Sequence, residues 1–187
     1  MQCGMAMHYA LVAYVRAPAG EFVERLRCEL HPNLPPFPAH ITILPPRILQ
    51  GTEPEARATL EEVCRSASPF EIVMGEVETF VPVTSTVFIR VAHAAYRMRE
   101  LHDQLNSNAL RADEEWPYMP HMTIAKMQDI DKAQEAFRIA QERWSQYQGS
   151  RRVLIDQLTF VREVGQDTWE DLAPEPLGGS MALKPSF

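Results

Sequence analysis

Two stretches of the chain hold the same grouping of residues that can do chemistry. One is His40-Ile41-Thr42-Ile43, inside PAHITILPP at 38–46. The other is His121-Met122-Thr123-Ile124, inside MPHMTIAKM at 119–127, 81 positions later (121 − 40). Imidazoles titrate near neutral pH, so one can take a proton from a nucleophile while another gives one to a leaving group. Threonine hydroxyls can hydrogen-bond oxygens on which negative charge builds. In a strand alternate side chains share a face, so His40 and Thr42 face one way and Ile41 and Ile43 the other. The same holds for His121 and Thr123 against Met122 and Ile124. Six histidines, nine threonines and 45% hydrophobic residues would produce two such groupings by chance in roughly 1 sequence of 700. Two His/Thr pairs facing one cleft suit a phosphodiester in which one P–O bond forms as another breaks. No side-chain nucleophile and no metal is needed. A zinc site would require three or four protein ligands, and no Cys or His spacing adds them to the two histidines.

These pairs need elements to position them. Tyr9–Val15 is a continuous apolar run and reads as a buried strand. Glu21–Leu30 reads as an amphipathic helix, with Phe22, Leu26 and Leu30 at helical spacing. A proline-rich loop, HPNLPPFPA, leads into a short strand at His40–Leu44, which Pro45 and Pro46 are expected to stop. Glu53–Ser66 reads as a helix with Pro54 and acids in its first turn. Phe70–Val81 and Thr86–Ala92 read as strands, His93–Leu110 as a long helix, and His121–Ala125 as a second short strand. Ile130–Tyr147 reads as a helix, and Val153–Val164 with Thr168–Leu172 as a closing hairpin. The order strand, helix, proline-containing loop, His/Thr strand therefore occurs twice, as repetition of order rather than of sequence. It predicts a two-lobed α+β protein with pseudo-twofold symmetry and both His/Thr pairs on one cleft, in a single bilobal domain over 1–187.

The doubled His-hydrophobic-Thr-hydrophobic resembles the signature of the 2H phosphoesterase superfamily, which includes bacterial 2′-5′ RNA ligase and cyclic phosphodiesterase proteins. The order of elements matches from about Tyr9 to Leu172. The resemblance implies two antiparallel sheets with outer helices and a central cleft, and metal-independent action without a cofactor. The substrates it implies are 2′,3′-cyclic phosphates, related cyclic nucleotide phosphates or 2′-5′ linkages. Carried over residue by residue, His40 and His121 are the acid/base pair, and Thr42 and Thr123 hold the phosphate. Lys126 stands where related ligase-like sequences often carry a basic residue, with prolines at the equivalent stretch of the first motif. RNA 2′-5′ ligation, in which a 5′-hydroxyl instead of water would open the cyclic phosphate, is the alternative enzyme reading. No Walker-type phosphate loop supports an ATP-driven form. A non-catalytic module that binds nucleotides or RNA ends is the third reading.

Other residues join the candidate list. Phe37, Trp116 and Tyr118 precede the motifs, and such rings stack on bases or fill a core. Arg47, just past the first motif, is a further substrate-binding candidate, although a loop arginine is ordinarily solvated. His8, His31, His93 and His102 lack a partner pattern and are read as non-catalytic. The acidic ADEE at 112–115 is read as a solvated loop.

The net charge of −7 excludes coating of long nucleic acid through the overall field. It favours a small nucleotide cyclic phosphate or an RNA end as partner. Three scattered cysteines, Cys3, Cys28 and Cys64, without a C-x-x-C, point to a reducing compartment. The apolar start lacks the basic region of a signal peptide, and no run reaches the ~18 apolar residues of a membrane span. A cytoplasmic monomer with no membrane contact is expected.

Overall fold

A computed structural model describes residues 7–30, 38–165 and 168–178. Phe37 and His31 lie outside the described residues. Eight strands and four helices follow in the order β1 (Tyr9–Tyr14), α1 (Ala19–Leu30), β2 (His40–Arg47), α2 (Glu53–Ser66), β3 (Phe70–Thr79), β4 (Thr86–His93), α3 (Ala95–Leu105), β5 (His121–Lys126), α4 (Ile130–Ser145), β6 (Arg152–Ile155), β7 (Gln157–Gly165) and β8 (Thr168–Pro176). A 3-10 turn, Asn108–Leu110, separates α3 from the loop before β5.

The ladders run β6-β3-β4-β5-β2-β1-β7-β8, and all are antiparallel. They form two four-stranded halves. In each, a His/Thr strand lies innermost and the strand that precedes it in the chain lies next to it: β2 beside β1, β5 beside β4. The halves meet where β2 faces β5, and a single register pair, Ile41 opposite Met122, makes the ladder continuous. This is the two-lobed pseudo-twofold arrangement expected from the repeated order of elements.

The sheet must curl. β6 and β7 stand six strand spacings apart in the ladder, about 29 Å if the sheet were flat at ~4.8 Å per spacing. One residue, Asp156, joins them, and a residue reaches at most ~3.6 Å. The sheet can satisfy both facts only by wrapping until β6 comes back beside β7. The convex face carries the main core, which includes Leu11, Ile41, Ile43, Ile72, Ile89, Met122 and Ile124. The helices cross over on that face. α1, which follows β1, packs on β5, and α3, which precedes β5, packs on β2. α4 covers β3, β4 and β5, and α2 packs on α3 and β8.

Local chemistry explains most boundaries. α2 starts with a full capping box: the Thr52 hydroxyl accepts from Glu55 N–H, and the Glu55 carboxylate accepts from Thr52 N–H. Asp129 caps α4 by accepting from Lys132 N–H at 2.8 Å. α1 starts two residues earlier than expected, at Ala19, and Gly20 is required there because a Cβ would run into the Val15 carbonyl.

Three expectations are corrected. Pro45 and Pro46 do not stop β2, which runs on to Arg47. The pairing to β1 is irregular there, with shifts between Tyr9, Leu11 and Val12, and such bulges accommodate residues that lack an N–H. The long helix from His93 is shorter, because His93 ends β4 and the backbone leaves the helical path at Asn106, whose ψ is +55°. The stretch Val153–Val164 is two strands, since β6 pairs with β3 while β7 pairs with β1 and β8. Among the described residues, no helix is long and apolar enough to cross a membrane.

Candidate active site

Strand alternation places the four motif residues together on the concave face. Ile41, Ile43, Met122 and Ile124 are buried, while His40, Thr42, His121 and Thr123 are partly exposed. Residues directly opposite one another in neighbouring strands share a face. Tyr14 stands opposite His40 and Val12 opposite Thr42. In the other half Arg90 stands opposite His121 and Phe88 opposite Thr123.

The two imidazoles are held the same way. His40 Nδ1 lies 2.9 Å from the Pro38 carbonyl and His121 Nδ1 lies 2.7 Å from the Met119 carbonyl, each two residues back along the chain. A carbonyl only accepts, so each Nδ1 carries the proton and each Nε2 the lone pair. The pseudo-twofold therefore extends to the tautomer. Burial pushes the His40 pKa down to about 4; the Pro38 bond opposes this, and the positive charges of Arg27 and Lys126, together with His121, add to it. Burial also lowers His121, against the Met119 bond and with help from Lys126. Both rings are therefore neutral at neutral pH.

The walls beside the pairs differ. The His121 ring meets Phe80 and Phe88 in edge-to-face fashion, with centroids at 5.2 and 5.0 Å. In the first half, Val12 opposite Thr42 clusters with Ala10 and Val161, and Tyr14, which stands opposite His40, packs on them with Trp169. The Tyr14 hydroxyl donates to Asp171 at 2.5 Å, and burial with that acid raises its pKa. Arg90 pairs with Glu78 at 3.2 Å.

Arg27 is a site residue that the sequence does not mark. It donates to the Thr123 carbonyl from Nε at 3.2 Å and from Nη2 at 2.5 Å, and to the Pro38 carbonyl from Nη1 at 3.5 Å. On the same helix, Glu24 accepts from Ala39 N–H at 2.8 Å. In the sequence Arg27 is one charge among several on an amphipathic helix. Only the crossing of α1 onto β5 carries it to the site.

The remaining candidates sort by place. Lys126 is exposed at the end of β5, and its charge reaches both histidines. The Tyr118 hydroxyl donates to the Thr42 carbonyl at 3.0 Å. Its ring stacks on His102 at 4.3 Å and 3°, and burial raises its pKa. Arg47 is not a solvated loop arginine. Its side chain is 3% exposed and donates to the Pro45 and Leu110 carbonyls, to Asn106 Oδ1 and to Glu114. Those bonds commit it to holding the chain rather than a ligand. Glu114 is likewise drawn out of the supposedly solvated acidic loop, because Arg47 and His102 Nε2 both reach its carboxylate. His102, read as lacking a partner pattern, is thereby buried in a network. Trp116 is 63% exposed and lines a hollow of about 670 Å³ with Arg99, Asp103 and Tyr118. None of the four motif residues borders that hollow. Among the described residues, no three His, Cys, Asp or Glu side chains group as a metal site would require.

Known proteins share this architecture. The 2′-5′ RNA ligase superfamily matches residues 15–167. A Halalkalibacterium halodurans protein with a provisional phosphoesterase name is 23% identical over 165 residues, spanning 87% of this chain and 93% of its own. An Oceanobacillus iheyensis protein, similarly named, is 24% identical over 166 residues, spanning 76% and 96%. E. coli LigT complexed with NADP+ superposes with a TM-score of 0.64 at 13% identity over 92% of this chain and 98% of that one. A Thermus thermophilus structure gives 0.61 at 16% identity, again over 92% and 98%. LigT has also been crystallised with 3′-AMP, and that structure gives 0.60 at 14% over the same shares. By its match over most of its length, the chain belongs to the 2′-5′ RNA ligase superfamily, the 2H phosphoesterases.

Proposed function

We propose that the protein is a metal-independent phosphodiesterase that opens a nucleoside 2′,3′-cyclic phosphate or a related cyclic nucleotide phosphate. The observation that carries this is the pair of strand-mounted His/Thr sets, each imidazole fixed through Nδ1 to the backbone just before its own strand. One Nε2 takes a proton from water as the water oxygen bonds to phosphorus. The other imidazole, protonated, gives its proton to the ribose oxygen as that P–O bond breaks. A bound phosphate anion raises the pKa of both rings, which lets one hold that proton although burial alone favours the neutral form of each. The Thr42 and Thr123 hydroxyls and Lys126 hold the non-bridging oxygens. The relatives' names support phosphoester chemistry, and LigT, which shares the fold, has been crystallised with the small nucleotides NADP+ and 3′-AMP.

The test is hydrolysis of 2′,3′-cyclic AMP in EDTA. Wild type turns it over, and His40→Ala and His121→Ala each reduce kcat by roughly 10²–10⁴-fold, the range for losing a general acid or base. Full activity in both variants would overturn the assignment. RNA 2′-5′ ligation is the second reading because a 5′-hydroxyl opening the cyclic phosphate in place of water would use the same groups. RNA halves bearing cyclic-phosphate and 5′-hydroxyl ends separate the two. Joined product accumulating over hydrolysed ends would favour ligation, whereas the net charge of −7 favours small substrates.

A further inference from the structure

We infer that Arg27 and Tyr118 are reciprocal positioning residues, each holding the backbone of the opposite half's motif threonine, and that together they set the separation of the two His/Thr pairs. Arg27 belongs to the helix that leads into the first motif, yet its guanidinium grips the Thr123 carbonyl of the second. Tyr118 belongs to the loop that leads into the second motif, yet its hydroxyl grips the Thr42 carbonyl of the first. Thr42 and Thr123 occupy the same place in their motifs, so the two grips are equivalent under the pseudo-twofold although made by different side chains.

The seam they cross is thin. β2 and β5 share one register pair, Ile41 with Met122, whereas β1 with β2 and β4 with β5 each pair over five positions. A seam with so little ladder of its own does not by itself fix how far His40 stands from His121. Displacement of catalytic groups by about 1 Å can cost 10²-fold in rate, so ties across this line matter to the chemistry. Both braces are themselves fixed. Arg27 also reaches the Pro38 carbonyl, which accepts from His40 Nδ1. Tyr118 lies flat on His102, and His102 bonds Glu114, which is paired to Arg47 of β2. Charges that bear on His40 come from Arg27 of α1 and from Lys126 and His121 of β5, while Glu24 of α1 holds the neighbouring Ala39 N–H and Tyr14 of β1 stands opposite His40 in register. Arg27 therefore holds geometry and also supplies positive charge.

This bracing rests on the proposed function, and its test is chosen so that the two fail separately. Tyr118→Phe removes only the hydroxyl, Arg27→Lys keeps the charge without the planar fork, and Arg27→Met removes both. Amide hydrogen exchange reads the seam without any turnover. Ile41, Met122 and Thr123 amides should exchange at least tenfold faster in Tyr118→Phe and in Arg27→Lys, while the β7–β8 amides keep wild-type rates. With 2′,3′-cyclic AMP, each of these two variants should lower kcat about 5–30-fold with KM within twofold. The double variant should lose less than the product of the two, because both braces hold one separation. Histidine NMR titration should show the His40 pKa raised in Arg27→Met and near wild type in Arg27→Lys. Unchanged seam exchange in both mild variants, or kcat losses that multiply, would overturn reciprocal bracing. Wild type inactive on every cyclic phosphate would overturn the functional reading and leave the exchange result to decide the braces.

Discussion

A histidine that must move a proton at neutral pH has to keep its lone pair available, and the concave face supplies that condition through burial and positive neighbours. His40 illustrates the consequence. In the unfolded chain it titrates near 6.5, and in the fold near 4. Between these values the unfolded state binds more protons, so this residue makes stability rise with pH across the window from about 4 to 6.5. That stability is lost as the solution is acidified towards 4. Urea denaturation at pH 7.0 and pH 4.5 checks it. Wild type should lose more stability between the two than His40→Asn, which has no proton to take up. Equal losses would mean that His40 titrates normally in the fold. The threonines share a face with the histidines through the same two-residue period, which is why all four candidates can be read from the sequence. Arg27 cannot, because the carbonyl it grips most firmly, that of Thr123, lies 96 residues away, and nothing in its own helix marks it.

At the scale of elements, short strands with one buried face are legible, and so are the capped helices. Their neighbours are not. Arg47 shows why: a lone arginine after two prolines looks like a loop residue, but β2 continues through the prolines and delivers it to Glu114. Burial of that pair makes it sensitive to removal of one partner. Arg47→Ala should destabilise the fold by about 3–5 kcal/mol, the usual cost of stranding a buried charge. Arg47→Met combined with Glu114→Gln should recover part of that, since neither charge then remains. Chemical denaturation of the two variants checks this, and a double variant no more stable than Arg47→Ala would contradict the buried-pair account. Because Tyr118 rests on His102 and His102 on Glu114, the Arg47→Ala variant should also lose activity beyond its fraction unfolded. The hairpin at the C-terminal side misleads for a related reason. Val153–Val164 has one continuous strand-like pattern, and only pairing partners on opposite halves reveal the break at Asp156.

For the whole molecule, that break is what brings the edges of the sheet together. A repeat of strand and helix order predicts two halves but not how they close on each other. Closure follows from a connection of one residue between strands that a flat sheet would hold far apart. Asp156 is secured on both sides: its carbonyl accepts from Leu177 N–H at 2.8 Å and its carboxylate from Arg16 at 3.3 Å. Arg16 follows β1 and Leu177 follows β8, so the crossover is tied to the half that carries His40. Lengthening it should relax the curl without dismantling either half. Inserting Gly-Ser-Gly between Asp156 and Gln157 adds loop entropy, which grows slowly, by about 0.6 kcal/mol per doubling of length. The melting temperature should therefore fall by only a few degrees. The rate should fall much more, about tenfold or greater in kcat on 2′,3′-cyclic AMP, because the two His/Thr walls can then part by more than catalysis tolerates. A variant with both wild-type kcat and wild-type melting would show that the seam and its braces hold the walls without help from the crossover.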